Sequence, residues 1–309
     1  MKRRSLALAA VFAGALALAG CGGEQPQAKE PQSGGGAFPV TVDAPAGKVT
    51  LDKRPTKIVS LSPTATEMLF AIGAGKQVTA VDELSNYPEK APRTKLSGFK
   101  PNADAIAGYE PDLVVLSFDT NKVAAGLKKL KIPVYLAPAA TTLQDTYSQF
   151  ADLGTLTGHS LEATDVAKRM QSDIDKLTRD LPKRKQPLTY YYELDPQLHS
   201  VTSKTFIGSV LELVGLKNIA DAADKDGSGY PKLSAEKVID ANPDLVFLAD
   251  TKCCGQTPEK VAKRPGWNKL SAVKDGQVFG LDDDIASRWG PRVVELVRAA
   301  TEAVGKVPA

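Results

Sequence analysis

One segment of the chain carries an uninterrupted helical rhythm. From Ser160 to Leu181 the apolar residues Ala163, Val166, Met170, Ile174, Leu177 and Leu181 step by three or four and so share one helical face. The other face is charged. Ser160 is expected to cap the first turn and Glu162 to suit its positive end, while Pro182 stops the helix and Lys183, Arg184 and Lys185 lie at its negative end. Asp165 with Arg169 and Asp175 with Arg179 are in i,i+4 register, each pair contributing about 0.3 kcal/mol. Roughly twenty residues at about 1.5 Å each give a rod of about 30 Å.

On either side of this rod the rhythm changes to short apolar runs separated by helical patterns. Alternation from Phe38 to Val42 and from Lys48 to Leu51 predicts a hairpin at the start of the folded part. Buried strands are expected at Lys57 to Leu61, Val78 to Val81, Leu113 to Ser117 and Val134 to Leu136, and again at Leu188 to Leu194, Leu245 to Leu248 and Val278 to Leu281. Thr64 and Glu67 have the spacing of a capping box that opens a helix, and Gly73 with Gly75 closes it. The two halves resemble each other residue by residue. Asn102, Asp104, Pro111 and Asp112 align with Ser234, Glu236, Pro243 and Asp244 at a constant offset of 132, and Met68 to Gly73 aligns with Val210 to Gly215 at an offset of 142. The ten-residue difference places a shorter connection in the second half. Two similar α/β lobes joined by one long helix, with a ligand cleft between the lobes, is the fold this pattern predicts.

Lys2, Arg3 and Arg4, the apolar run from Leu6 to Leu18 and the small residues before Cys21 make an export signal, too short for a spanning helix. Leu18 to Cys21 resembles the lipobox of bacterial lipoproteins, in which the cysteine is acylated and becomes the new N-terminus. The expected organisation is a signal peptide over 1–20, a flexible tether over 21–37, an N-terminal lobe over 38–158, the connecting helix within 159–185 and a C-terminal lobe over 186–309. Removal of the signal takes away three basic and no acidic residues, which brings the net charge from +3 to zero. No patch for nucleic acid or for a membrane surface is implied. Apart from Cys21 the cysteines are the neighbours Cys253 and Cys254, for which a vicinal disulfide and two free thiols both stand open.

The sequence lacks the constellations of catalysis: Gly-x-Ser-x-Gly, Cys-x-x-Cys and His-Glu-x-x-His are missing, and His159 and His199 are not clustered. Three acids at Asp282, Asp283 and Asp284 read as a solvated loop. No metal held by protein ligands, no cofactor and no enzyme activity are expected. Aromatic and basic residues recur instead in the loops flanking strands: Tyr87, Phe99, Lys100, Lys204, Phe206, Trp267, Arg288 and Trp289. Flat faces and long donors suit a large, planar, hydrogen-bonding ligand. Asp104 and Glu236 occupy the same place in the two repeats; each favours its helix's positive end, and together they offer a symmetric pair of contacts to a two-fold partner.

Export signal, lipobox, duplicated lobes and single connecting helix together resemble the class III substrate-binding proteins of ABC importers, which bind cobalamin, ferric siderophores and haem. The marks are Ile58 to Glu67, including Ser62, Ser85 to Pro88, both Pro-Asp-Leu-Val turns, Arg264 to Trp267, and Gly290 to Arg292. The first two look most like the cobalamin binders, although Phe99 stands where those often hold a tryptophan. The resemblance implies a monomeric lipoprotein, held outside the cell membrane by lipid on Cys21, that captures cobalamin or a related corrinoid in its cleft without bond-making. Its partner would be an ABC permease dimer with its ATPase, with arginines meeting Asp104 and Glu236. The alternative within the resemblance is a ferric siderophore or haem, whose acidic groups would meet Arg288, Arg292, Lys100 and Lys204; an enzyme using the cleft is the remaining class. The connecting helix should lie along both lobes and keep closure modest.

Overall fold

The computed structural model describes residues 37–308; the signal peptide, Cys21 and nearly all of the tether lie outside the described residues. In chain order, a hairpin of β1 (Val40–Ala44) and β2 (Gly47–Leu51) is followed by β3 (Ile58–Leu61), α1 (Pro63–Ala71), β4 (Val78–Val81), α2 (Ala103–Ala107), β5 (Leu113–Leu116), α3 (Val123–Lys129), β6 (Val134–Leu136) and α4 (Leu143–Thr157). The rod is α5 (Ser160–Arg179). Then come β7 (Leu188–Glu193), α6 (Phe206–Leu213), β8 (Leu216–Asn218), α7 (Ala235–Ala241), β9 (Leu245–Leu248), α8 (Pro258–Ala262), α9 (Ser271–Lys274), β10 (Val278–Gly280), α10 (Asp283–Ser287) and α11 (Val293–Lys306).

Two four-stranded parallel sheets result, ordered β4-β3-β5-β6 and β8-β7-β9-β10. The second repeats the topology of the first strand for strand. Strand β8 has no counterpart in the strands read from the sequence, because three residues with Lys217 at the centre are too short to show a period. Its position was nonetheless implied by the repeat, since it follows Gly215 as β4 follows Gly73, each glycine in the left-handed region with φ of 77° and 87°. The paired Pro-Asp turns do the same work in both lobes. Asp112 Oδ2 accepts from the Thr56 backbone and hydroxyl, each at 2.8 Å, and Asp244 Oδ2 accepts from the same groups of Thr189 at 2.7 and 2.8 Å. Each aspartate thus fixes the register between the first and third strands of its lobe.

Both sheets are covered on both faces, as parallel sheets require. Val59, Leu61, Val114 and Leu116 pack outward with Ile106, Val123 and Leu127 in the first lobe. Tyr191, Val246 and Leu248 pack outward with Val238, Val261 and Trp267 in the second. The inner faces, by contrast, belong to one continuous core that takes in Ile58 and Val115, the α5 stripe Ala163, Val166, Met170 and Ile174, and Tyr190, Tyr192 and Phe247. Helix α5 lies against α4 from the first lobe and α11 from the second.

Three local expectations are corrected. Ser160 is the first helical residue and not the cap; His159 precedes it without a side-chain capping bond, and Arg54 secures the start by donating to the Thr157 carbonyl at 2.8 Å and lying 2.6 Å from His159 Nε2. Lys176 pairs with Asp173 at 3.2 Å in place of the two i,i+4 pairs, whose long side chains remain in solvent. Finally, α1 is capped by Ser62, whose Oγ accepts from Ala65 N with Pro63 in the first turn. Glu67 is therefore free of a capping role.

Candidate functional site

A cavity of about 420 Å³ opens between the lobes. Its first wall is built at the C-terminal ends of the first-lobe strands, by Leu61 to Thr64 after β3, Asp82 to Leu84 with Asn86 after β4, Gly98 and Phe99, and Ser117 with Phe118 after β5. Its second wall is Asp284, Ser287, Arg288 and Trp289. The connection from α1 to α2 is ten residues longer than its counterpart: four of the extra residues form Ala74–Gln77 before β4, one lengthens the strand, and five lie after it in the stretch that carries Asp82 to Phe99. Phe99, Phe118 and Leu84 are 62%, 52% and 45% exposed. Large apolar side chains held in water around one cavity mark a surface that something else covers.

Beneath the cavity a carboxylate joins the lobes. The Glu67 side chain is fully buried, and Arg288 Nη1 donates to its Oε1 at 2.8 Å. Arg292 donates twice, from Nε to Oε2 at 2.9 Å and from Nη2 to Oε1 at 2.6 Å. That bidentate bond to Glu67 raises the Arg292 pKa further above its ordinary value. Arg288 also donates to Asn86 Oδ1 at 2.9 Å, the Leu84 carbonyl at 3.1 Å and Asp284 Oδ1 at 2.6 Å. Next to it Trp289 Nε1 donates to Gln149 Oε1 at 2.9 Å, and Thr146 donates to the Trp289 carbonyl at 3.0 Å. The segment from Arg288 to Arg292 is thus fastened to α1, to the loop after β4 and to α4. Arg288 and Arg292 spend their charge on protein carboxylates, and the cavity lining retains Asp82, Glu83 and Asp284. Burial raises the Asp82 carboxyl, against the hydrogen bond from Leu84 N. For Asp284 burial acts in the same direction, but Asn86, Arg288 and Lys252 outweigh it and hold the carboxyl low.

A second buried charge group sits at the end of β7. Arg264 grips Glu193 with two bonds of 2.6 Å and adds one to Gln256 at 2.8 Å. Asp250 lies near this pair, fully buried, with both carboxylate oxygens lacking a protein partner. Two carboxylates share one guanidinium. Burial, then the Glu193 charge, pushes Asp250 up to about 7.

The sequence candidates separate in the fold. Ser62, Phe99, Arg288 and Trp289 line the cavity; Ser62 is buried there and its Oγ accepts from Ser117 Oγ at 2.6 Å. Tyr87 stands beside it, with the Arg292 guanidinium 4.3 Å from the ring centroid. Trp267 is corrected to a core residue: it is 1% exposed, edge-on to Tyr191 and covered by Arg264 at 4.6 Å. Phe206 is likewise core, because it begins α6 facing the shared interior. Lys100 and Lys204 are exposed and do not line the cavity. Cys253 and Cys254 are free cysteines at exposed positions with no bridge between them; partial desolvation of the Cys253 sulfur, then its contact with Cys254, pushes it up to about 12. Asp104 and Glu236 are exposed second residues of α2 and α7, behind the caps Asn102 and Ser234. The acidic run is not a solvated loop: Asp282 caps α10, Asp283 accepts from the Lys252 and Cys253 amides, and Lys252 bridges Asp282 and Asp284. Leu84, Asn86 and Phe118 were missed, as was Glu67. Phe118 could have been found from the repeat, one residue beyond the buried run that ends β5. Among the described residues no group of three metal-ligating side chains forms.

Comparisons with known proteins agree with this architecture. A family model described as periplasmic binding protein matches residues 58–285. An uncharacterized ABC transporter substrate-binding lipoprotein of Bacillus subtilis is 30% identical over 98% of this chain and 98% of its own. A cobalamin-binding protein of Halobacterium salinarum is 29% identical over 84% of this chain and 72% of its own. The solved vitamin B12 binding protein of Vibrio cholerae superposes with a TM-score of 0.69 at 23% identity, covering 81% of this chain and 97% of that one, which speaks for the fold.

Two variants test the charge groups. Glu67→Ala takes the carboxylate from half-buried Arg292 and leaves buried Arg288 with the Asp284 carboxylate alone, and a stability loss of about 3–5 kcal/mol in chemical denaturation is expected; a loss under about 1 kcal/mol would show that the lobes do not depend on this contact. Asp250→Asn keeps the shape of the protonated acid. Because the folded pKa of about 7 lies above the ordinary 3.8, wild type holds an extra proton when folded and loses stability as pH rises through that window. The variant should match wild type near pH 4 and gain on it progressively, reaching on the order of 1–2 kcal/mol above pH 7 after allowance for solvent screening. A constant difference between pH 4 and pH 8 would contradict the assignment.

Proposed function

The chain belongs to the periplasmic binding protein family, and from that premise we propose that it captures cobalamin or a related corrinoid and hands it to the permease of an ABC importer. The family is one of extracytoplasmic solute-binding proteins, and the chain is read here as such a protein without enzyme activity or a cofactor of its own. The observation that carries the choice of ligand is the cavity lining: exposed Phe99, Phe118 and Leu84 beside carboxylates, with no His, Tyr, Cys or Met among the lining residues. A corrinoid brings its metal already coordinated, an apolar macrocycle for the aromatic faces and peripheral amides that donate to Asp82, Glu83 and Asp284. Haem would look for an axial side chain and for cations to meet its propionates. A ferric siderophore carrying carboxylates would likewise meet arginines already neutralised by Glu67 and Asp284. The cavity encloses an edge of so large a molecule and leaves the remainder in solvent.

Delivery follows from position. Asp104 and Glu236, equivalent in the two lobes and exposed, would each meet a cation of the two-fold permease, while the associated ATPase supplies the work. Lipid on Cys21 would hold the monomer at the membrane. Among the described residues no helix is long and apolar enough to cross one. The core shared through α5 and the Glu67 contacts favour small closure on binding.

The chain from Gly22 onward, titrated separately with cyanocobalamin, ferric hydroxamates and haem, should show quenching of Trp289 and co-elution at sub-micromolar cyanocobalamin only, with Phe99→Ala plus Phe118→Ala weakening it by about tenfold or more. Saturable binding to an iron complex alone would replace the corrinoid by the iron reading. In a transport assay, Asp104→Ala with Glu236→Ala should keep ligand affinity and reduce uptake by about tenfold or more; unchanged uptake rejects the two-point contact.

A further inference from the structure

The adjacent thiols lie outside the cavity yet are wired to it. They sit in the turn between β9 and α8, whose backbone is held by one carboxylate of α10. Asp283 accepts from the Lys252 amide at 2.9 Å, the Cys253 amide at 2.8 Å and the Thr251 hydroxyl at 2.9 Å. Lys252 Nζ reaches Asp282 at 2.7 Å and Asp284 at 3.1 Å. Asp284 in turn holds Arg288 at 2.6 Å and takes a bond from Asn86 across the cleft at 3.0 Å. Four residues after the turn begins, Gly255 takes a left-handed φ of 62°, a conformation that glycine adopts without strain.

We infer that Cys253 and Cys254 are a reversible dithiol–disulfide site whose oxidation loosens the second wall of the cleft through Asp283 and Asp284. Both residues are exposed and neither has another cysteine among the described residues to pair with. An extracytoplasmic chain meets disulfide oxidants. The oxidant class is a low-molecular-weight disulfide. One cysteine, as thiolate, attacks a reagent sulfur and releases a reagent thiolate; the second cysteine displaces the other reagent thiolate from the mixed disulfide. The two protein sulfurs lose two electrons and two protons, and the reagent leaves as two thiols.

Bridging neighbours moves backbone. Successive α-carbons are about 3.8 Å apart across a trans peptide, below the roughly 4.4–6.8 Å of ordinary disulfides, so the Cys253–Cys254 peptide must rotate to close the ring. That peptide carries the Cys254 amide, which donates to the Asp250 carbonyl at 3.3 Å, and the change of φ and ψ at Cys253 that accompanies its rotation turns the neighbouring Cys253 amide away from Asp283. Asp283 then loses part of its hold on the turn, Lys252 moves with it, and Asp284 and Arg288 lose a neighbour that fixes them.

The test uses the full chain in detergent, treated with oxidised glutathione and then with dithiothreitol. The tryptic peptide from Cys253 to Lys260 should lose two hydrogens on oxidation and regain them on reduction. Amides of residues 251–254 and 282–288 should exchange faster in the oxidised form, an effect that needs no ligand. The effect on cargo rests on the corrinoid reading: oxidation should weaken cyanocobalamin binding by about three- to tenfold, and Cys254→Ser, left with one thiol, should stop at a mixed disulfide with glutathione and form no internal bridge. The inference fails if the peptide stays reduced, if the disulfide forms between two chains, or if the internal disulfide forms and exchange in both segments is unchanged. Absence of cyanocobalamin binding to the reduced protein removes the corrinoid reading, and hydrogen exchange still decides the switch.

Discussion

The contact on which the rest of this structure depends is Glu67 with Arg288 and Arg292. A fully buried carboxylate is costly by itself, and the cost is offset only where donors from the second lobe arrive in good geometry. The three side chains therefore favour one relative placement of the lobes over others. Gly290 lies between the two arginines with its α-carbon facing Thr64 and the Glu67 carboxylate, where an added Cβ would come within 3.5 to 3.6 Å of them. Non-directional burial along α5 keeps the lobes together; the charge contact gives that union its angle.

Around this contact the two lobes are alike in scaffold and unlike in use. The same strand order and the same Pro-Asp register locks give each lobe a rigid sheet with loops at one end. Five of the ten additional residues in the first lobe lie after β4, in the loops that bring Leu84 and Phe99 to the cavity. The corresponding end of the second lobe is filled instead by Arg264, Glu193 and Asp250, so its chemistry is internal. A cleft with one soft wall and one polar wall follows from that inequality.

The disposition of charge in the cleft is what favours the proposed ligand. Four basic residues looked available for acidic ligand groups from their sequence positions. Two of them are consumed by Glu67 and Asp284, and Lys100 and Lys204 are not among the residues that line the cavity. What remains for a ligand is hydrogen-bond acceptors and aromatic faces, a combination that suits amides on a large apolar ring.

The sequence alone determined what depends on local order and periodicity: the rod from Ser160, seven of the eight sheet strands, the hairpin, the internal repeat and with it the two-lobe plan. It also marked Phe99, Arg288 and Trp289, because loops after strands in such a plan converge on one edge, while Ser62 came with the family resemblance. Tertiary structure alone decided the rest. Glu67 sits where a capping box expects it, and only the arrival of two arginines more than two hundred residues away makes it the joint of the molecule. Trp267 and Phe206 carry the same flat, apolar chemistry as Phe99, yet packing buries the first two and leaves the third in water. Burial and partnership are sums over distant neighbours, and no window of sequence contains them.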